Sequence, residues 1–297
     1  MENKMDIVYI LGKGSRWHNN EIRFSLRSLE KYFNFGKVFI VGEMPEWMQG
    51  VTNIPCDDKF KNKLQNARAK YLTAANCSQI SNNFILMNDD FFFLKEVKEI
   101  PYYSRGTSYG AIENHQTKGG YYYEALKRTK ARIEGTGFTD EVMDFEIHAP
   151  IIFNKEKLKN VMAVIGDEHI CLLRTCYGNL MGVEHKIVDD FKVAETKQFY
   201  KELRKGREFL STTDSMVVSD EFRKWIWEKY PEPSKYEMDA GAGSTISPGQ
   251  SLIAMRYYAK EAFAYGTKSY QPGDRIDNTT IKEVKLMKNL RAKWEYK

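Results

Sequence analysis

The stretch Phe84-Ile85-Leu86-Met87-Asn88-Asp89-Asp90-Phe91-Phe92-Phe93-Leu94 sets two carboxylates and an amide inside an otherwise apolar run. An apolar run this short, with aromatics on both sides, reads as a central strand covered on both faces. Placing two carboxylates there costs several kcal/mol unless a cation or strong donors meet them. A strand ending in Asn-Asp-Asp therefore suggests a hard divalent cation, Mg²⁺ or Mn²⁺, held by oxygen ligands. Such ions keep waters and share their coordination with substrate phosphates, which points to a nucleotide or another phosphorylated donor. The alternative reading is a strand end whose acids cap the following turn.

The sequence on either side of this run alternates strand and helix patterns. Asp6-Ile7-Val8-Tyr9-Ile10-Leu11 is a short apolar run stopped by Gly12-Lys13-Gly14-Ser15, the pattern of a buried strand entering a loop. In the segment from Asn20 to Phe33, Ile22, Leu26, Leu29 and Phe33 recur at helical spacing, with Asn19 or Asn20 as the N-cap. Residues 37–42 read as a second strand, 51–55 as a weak third, and 63–75 as a second helix. Strands separated by helices predict an α/β fold, a mostly parallel sheet flanked by helices. Ligands of such sheets bind at the carboxyl ends of the strands, where Gly12 to Arg16 and Asn88 to Asp90 fall. Residues 98–110 look turn-rich, and 119–132 helical, with Lys127, Arg128, Lys130 and Arg132 as a basic face. Helical patterns return over 155–181 and 220–229. This predicts a transferase-sized domain over residues 1–239 with a helical C-terminal part, a small polar linker over 240–250, and a small C-terminal module over 251–297. The module's last helix would carry Ile281, Val284, Leu286, Met287 and Leu290.

The composition is that of a folded globular chain: 297 residues, 42% hydrophobic and 29% charged, with a net charge of +5. These values exclude disorder and fibrous classes. No apolar run approaches the ~20 residues of a membrane span, and residues 1–6 carry charges where a signal peptide places apolar residues. A cytoplasmic protein is expected. The four cysteines form no Cys-x-x-Cys pair, which argues for reduced thiols over a zinc site.

Two further segments carry chemistry. Asp144-Phe145-Glu146-Ile147-His148-Ala149-Pro150, if extended, puts Asp144, Glu146 and His148 on one face. A carboxylate flanked by histidine suits a base near an acceptor hydroxyl, so Glu146 or Asp144 is the candidate base and His148 its orienter or a ligand; an exposed strand face is the alternative. Asp189, Asp190 and Asp214 are further candidate acids, and His185 a further ligand. Near the first strand, Lys13, Arg16 and Arg23 offer fixed positive charge to a diphosphate, while Gly12 and Gly14 let the backbone approach it. The two basic side chains at 13 and 16 equally suit a solvated loop.

Three segments, in matching order over about residues 5–220, resemble the Stealth-type sugar-phosphate transferases of capsule synthesis and glycosyltransferases with a GT-A-like nucleotide-sugar-binding fold. They are Asp6 to Tyr9 with Glu21 to Lys31 and Val38 to Gly42, then Phe84 to Phe92, then His148-Ala149-Pro150-Ile151. The chain departs from the Stealth pattern after the first strand, where Gly12-Lys13-Gly14-Ser15-Arg16-Trp17 stands in place of an aspartate-rich loop. The resemblance implies Asp90 as the direct metal ligand, Asp89 as the second, and Asn88 toward the donor sugar or ribose. It implies transfer of a sugar from a nucleotide-sugar donor to a hydroxyl acceptor, with a sugar-1-phosphate transferase as the alternative. Residues 266–274 resemble small modules of phage proteins, which implies a phage origin. In that setting the acceptor is a glycan or a hydroxymethylated DNA base, and a non-catalytic glycan- or DNA-binding phage protein is the third alternative.

Overall fold

The computed structural model describes residues 4–166 and 170–238, together with strand segments within 257–296. The chain divides into two compact units, Met1–Met238 and Asp239–Lys297. In the first unit, β1 (Asp6–Leu11), β2 (Val38–Gly42), β3 (Thr52–Ile54), β4 (Asn83–Met87) and β7 (Ile151–Asn154) form one sheet in the order β3-β2-β1-β4-β7. All neighbours are parallel except β4 and β7. The expected mostly parallel sheet flanked by helices is the architecture observed.

Side-chain alternation explains the layering. Ile7, Tyr9 and Leu11 of β1 pack with Ile85 and Met87 of β4 and with Ile22, Leu26 and Leu29 of helix α1 (Asn20–Tyr32). On the opposite face Val8, Phe84 and Leu86 meet Tyr71 and Ala74 of α2 (Lys63–Asn76) and Leu158 and Val161 of α5 (Lys155–Ile165). Asp6 ties the strand starts together: its carboxylate accepts the backbone N–H groups of Lys37 and Ser81 at 2.9 and 2.8 Å. At the other end Gly42, at φ +126°, lets Leu11 approach; a Cβ there would stand 1.9 Å from the Leu11 carbonyl oxygen.

The decisive run departs from the single central strand that its composition suggests. Residues 84–87 lie in β4 of the main sheet, whereas Phe91–Phe93 form β5 of a second sheet, paired antiparallel with β10 (Phe209–Thr212), which in turn pairs with β9 (Lys192–Val193). Asn88, Asp89 and Asp90 make the turn between the sheets. Helix α1 lies between them: Phe24 joins Phe92, Leu210 and Phe222 in a second core. The free edge of β5 is satisfied by α1 serines, since Ser25 Oγ donates to the Phe91 carbonyl at 2.6 Å and Ser28 Oγ accepts from the Phe93 N–H at 3.0 Å.

Other expectations need correction. Asn19 occupies the N-cap of α1 as expected, but at φ 58° and without a side-chain bond to the helix, and the Asn20 amide donates to the Trp17 carbonyl. The stretch read as turn-rich contains β6 (Tyr102–Ser104) and α3 (Ser108–Gln116), a helix that buries only Ser108 and so shows no apolar stripe. The basic stretch read as helical is α4 (Gly120–Glu134). Residues 144–150 are not a strand; Phe145, Ile147 and Ala149 are buried and Glu146 and His148 half-buried, but Asp144, expected on the same face as those two, is fully buried. Between α6 (Leu173–Leu180) and α8 (Asp220–Lys229) the chain forms β8 (His185–Ile187), β9, α7 (Thr196–Arg204) and β10. The C-terminal unit contains the antiparallel ladders Tyr257–Ala259 with Arg275–Ile276 and Trp294–Tyr296, and Phe263–Tyr265 with Lys268–Tyr270. The linker over 240–250 and the helix expected near 281–290 lie outside the described residues. Among the described residues no helix is long and apolar enough to cross a membrane.

The last residues of the first unit are held against α1 by a buried ion pair. Glu237 receives Arg27 through two bonds of 2.7 Å and Arg23 through a third, and Arg27 also donates to the Tyr230 and Pro231 carbonyls. Burial would raise the Glu237 carboxyl pKa, but the Arg27 hydrogen bond and charge outweigh it and hold it below the usual range. Removing one partner strands a buried guanidinium, which costs about 3–5 kcal/mol. Glu237→Gln is expected to lower the denaturant midpoint by several tenths of its value in equilibrium unfolding of the full chain; an unchanged midpoint would show that the pair is not what secures this segment.

Candidate active site

In the order β3-β2-β1-β4 the chain steps outward from β1 to β3 and then returns to lay β4 on the other side of β1. The connecting helices leave on opposite faces, α1 on one and α2 on the other. This is a topological switch point, and a crevice opens there beyond the carboxyl ends of the strands. A cleft of about 360 Å³ occupies it, within the range of small-molecule sites. Gly12 to Ser15 after β1 and Asn88 to Asp90 after β4 line it together with Thr212 to Asp214 after β10.

The charges in the cleft are segregated by local structure. Glu21 lies in the first turn of α1, and its carboxylate accepts from Ser15 Oγ at 2.7 Å. Asp90 accepts from Ser211 Oγ at 2.7 Å and lies 4.0 Å from the Lys192 ammonium. Burial, then the neighbouring Asp90 and Glu21 charges, push the Asp89 carboxyl up to about 8; burial also raises that of Glu21, against its bond from Ser15. Asp214, exposed on the rim, adds to the same negative field. The basic side is Lys13, Lys63 and Lys70. Lys70 is buried and paired with Asp58, whose other oxygen accepts the Lys13 N–H at 3.3 Å and occupies the space that a Cβ at Gly12 would fill. The loop between Gly12 and α1 is strained: His18 and Asn19 both hold positive φ, at 55° and 58°, a conformation that non-glycine residues adopt at a cost of about 1 kcal/mol or more.

Two buried polar atoms in this wall, Asn88 Oδ1 and Thr212 Oγ1, have no hydrogen-bond partner among the described residues. An orphaned amide oxygen beside crowded carboxylates is the donor set a hard cation takes. Among the described residues no three His, Cys, Asp or Glu side chains converge as a metal cage. The residues present therefore fit a cation that takes one or two carboxylates and completes its shell with waters and ligand phosphate, as Mg²⁺ and Mn²⁺ do.

Of the residues expected at the site from sequence, Gly12, Lys13, Gly14, Asn88, Asp89, Asp90 and Asp214 line the cleft and the others do not. Arg16 is exposed beside it. Arg23 is consumed by Glu237 and stacks 4.1 Å over Trp47. Asp144 is fully buried and pairs with Arg105 at 2.9 Å. Glu146 accepts the Thr175 N–H at 3.0 Å; burial raises its pKa, while the Arg174 charge lowers it. His148 Nδ1–H donates to the Asp190 carboxylate at 2.7 Å, and its backbone N–H also donates to Asp190. His185 packs on Phe145, and Asp189 pairs with Lys205 and Arg207. Glu21, Asp58, Lys70, Lys192 and Thr212 escaped the sequence reading. Glu21 alone carried a signal, an acid in the first turn of a helix that follows a glycine loop; the rest arrive from elements far apart in the chain.

Comparison with known proteins finds no matching family model and no matching curated protein. Among solved structures the chain is similar to the glycosyltransferase GlyE of Streptococcus pneumoniae TIGR4, at 12% identity and a TM-score of 0.39 over 77% of this chain and 60% of that one. It is similar at 10% identity and a TM-score of 0.39 to the galactosyltransferase LgtC in complex with donor and acceptor sugar analogs, over 66% of this chain and 78% of that one. The apo form of GlyE matches at 13% identity and a TM-score of 0.37. The chain thus spans about 60% of the length of GlyE. With likeness this distant, the chemistry rests on the cleft itself.

Asp190 is the best-held acid near the site. Burial raises its pKa, but the His148 side-chain hydrogen bond, the His148 charge and backbone N–H, and Arg105 outweigh this and lower it to about 2. Its folded value lies below its unfolded one, so its contribution is fully present above about pH 4 and disappears as pH falls toward 2. Asp190→Asn is expected to cost about 2 kcal/mol at pH 7, with the gap between variant and parent closing by about pH 2. Urea unfolding across pH 2–7 measures it; a gap that does not shrink with acid would locate the effect outside this carboxylate's charge.

Proposed function

We propose that the chain is a glycosyltransferase that takes a nucleotide-sugar donor in this cleft, with Mn²⁺ or Mg²⁺, and transfers the sugar to a hydroxyl acceptor, a glycan. The supporting observation is the crowding of Glu21, Asp89, Asp90 and Asp214 opposite Lys13 and Lys63 at the switch point between β1 and β4. An acid cluster beside a basic wall suits a cation and a diphosphate bound together, and neither suits the cleft alone.

Asp90 and Asp89 would hold the cation, with Asn88 Oδ1 beside them. When bound, the cation neutralises charge on the diphosphate leaving group. Ser211 and Lys192 fix the Asp90 carboxylate through the contacts at 2.7 and 4.0 Å. Lys13 and Lys63, both exposed and without an ion pair among the described residues, offer charge to the diphosphate. Asp214, open on the rim, accepts the proton of the acceptor hydroxyl as its oxygen attacks the anomeric carbon and the diphosphate departs. That role passes to Asp214 because Asp144 and Glu146 are tied into Arg105, Thr175 and Arg174 behind the wall.

Asp90→Ala is expected to abolish Mn²⁺-dependent binding of a nucleoside diphosphate while the protein stays folded, as read by calorimetric titration. Parental affinity in the variant sinks the metal role of Asp90. Asp214→Asn should keep that affinity and lower turnover on a nucleotide-sugar donor about 100-fold or more. Near-parental turnover would place the base elsewhere, and phosphate retained in the product would mark sugar-phosphate rather than sugar transfer.

A further inference from the structure

A second groove, of about 530 Å³, runs along α7 and adjoins the cleft, the two sharing Lys192 in their walls. Its cations are Lys192, Lys197, Lys201, Arg204 and Lys205. Three of its four acids are already paired: Asp190 with Arg105 and His148, Glu202 with Lys205 and Arg207, Asp189 with Lys205 and Arg207; Glu195 has no ion pair among the described residues. Lys197, Lys201 and Arg204 are exposed and have no ion pair among the described residues. With Lys205 they follow the spacing i, i+4, i+7, i+8 and so share one helix face.

Helix stability does not account for this face. Like charges at i, i+4 destabilise a helix. Cations in the last turn are favoured by the helix dipole, which covers Lys201 and Arg204, but Lys197 lies in the first turn, where the dipole opposes a cation; the acid at the N-cap, Glu195, makes no ion pair with it among the described residues. A groove with five cations, three of them without an ion pair among the described residues, and with Glu195 as its one acid outside an ion pair there, opens beside Asp90 through Lys192 and has the charge of an anion site.

We propose that this groove binds the acceptor, and that the acceptor is an anionic glycan bearing phosphate, sulfate or carboxylate groups. The proposal rests on the adjoining cleft being the donor site. Lys192 stands at the junction, 4.0 Å from Asp90, so a chain lying along α7 presents its end to the carboxylate cluster. The surrounding charge selects the acceptor by electrostatics, with the backbone of the glycan left free to vary.

The test uses the full chain, a heparin-derived sulfated tetrasaccharide as probe, and its desulfated counterpart as control, with binding read by fluorescence anisotropy at two salt concentrations. The parent is expected to bind the sulfated probe at least about tenfold more tightly than the neutral one, with affinity falling as salt rises. The triple variant Lys197→Gln, Lys201→Gln, Arg204→Gln should lose at least about tenfold in affinity and most of the salt dependence. The same charge removed from α4, as Lys127→Gln, Arg128→Gln, Lys130→Gln, should leave binding unchanged. Parental affinity in the α7 variant, equal loss in the α4 variant, or equal binding of the neutral probe each overturns the proposal. Nucleoside diphosphate binding with Mn²⁺, titrated in parallel, keeps the two readings apart. Its absence in the parent refutes the donor cleft, whereas its persistence beside an unaffected α7 variant refutes the acceptor groove alone.

Discussion

Helix α1 carries two sheets at once, and the constraint that makes this workable is the pair of serines at 25 and 28. A helix packed between sheets must present apolar side chains in both directions, which Ile22, Leu26 and Leu29 do on one side and Phe24 on the other. The edge of β5 nevertheless approaches α1 with its backbone groups unpaired, and larger apolar residues there would leave a buried N–H and carbonyl stranded at about 1–3 kcal/mol each. Small hydroxyls solve both problems: they admit the strand and complete its hydrogen bonds, and Ser25 also meets the Tyr9 hydroxyl at 2.8 Å.

The site follows from that junction. Because β4 and β5 belong to different sheets, the three residues between them must turn at the edge of the main sheet, where they meet the glycine loop after β1 and the end of β10. A single continuous strand would have buried Asp89 and Asp90 inside a layer. The turn instead sets them in a wall with solvent on one side, crowded enough that Asp89 holds its proton near neutrality and open enough to take a cation. Charge repulsion among the acids is what the fold tolerates here, and tolerance of repulsion without a partner is a mark of sites built for a ligand.

Beyond the cleft, the acids at 144, 146 and 190 serve a different end. Arg105 joins Asp144 to Asp190, Asp190 holds His148, and Arg174 donates to the Ile147 and Ala149 carbonyls at 2.8 Å. An irregular segment has no ladder to satisfy its backbone, so side chains from α6 and backbone groups of the loop after β6 do so. The same network neutralises Asp190 from behind, so that it does not oppose the exposed cations Lys197, Lys201 and Arg204 of α7.

Much of this was legible in the sequence. The strands at 6–11 and 38–42 follow from short apolar runs, which are buried on both faces, and the helices from 20, 63, 120 and 220 from helical patterning, because each buries one side. The parallel order of the sheet follows from strands alternating with helices, and the placement of Gly12 to Ser15 and Asn88 to Asp90 at one edge follows from that order. Periodicity was silent at α3, which buries a single serine, and over 144–150 the alternation of acids with apolar residues marked which side chains are more buried, from Phe145 to Ala149, but not that the backbone is irregular or that Asp144 is fully buried. The division of 84–93 between two sheets was decided by a partner more than a hundred residues away, β10, which no local pattern encodes. The same holds for the ion pairs. Arg23 and Arg27 find Glu237, Lys70 finds Asp58 and Lys192 comes beside Asp90 only through tertiary packing, since a charge's partner depends on which distant elements the core brings together. The sequence thus determined which acids and glycines the chain offers at its strand ends, and the tertiary structure decided which of its charged residues remain free to meet a ligand.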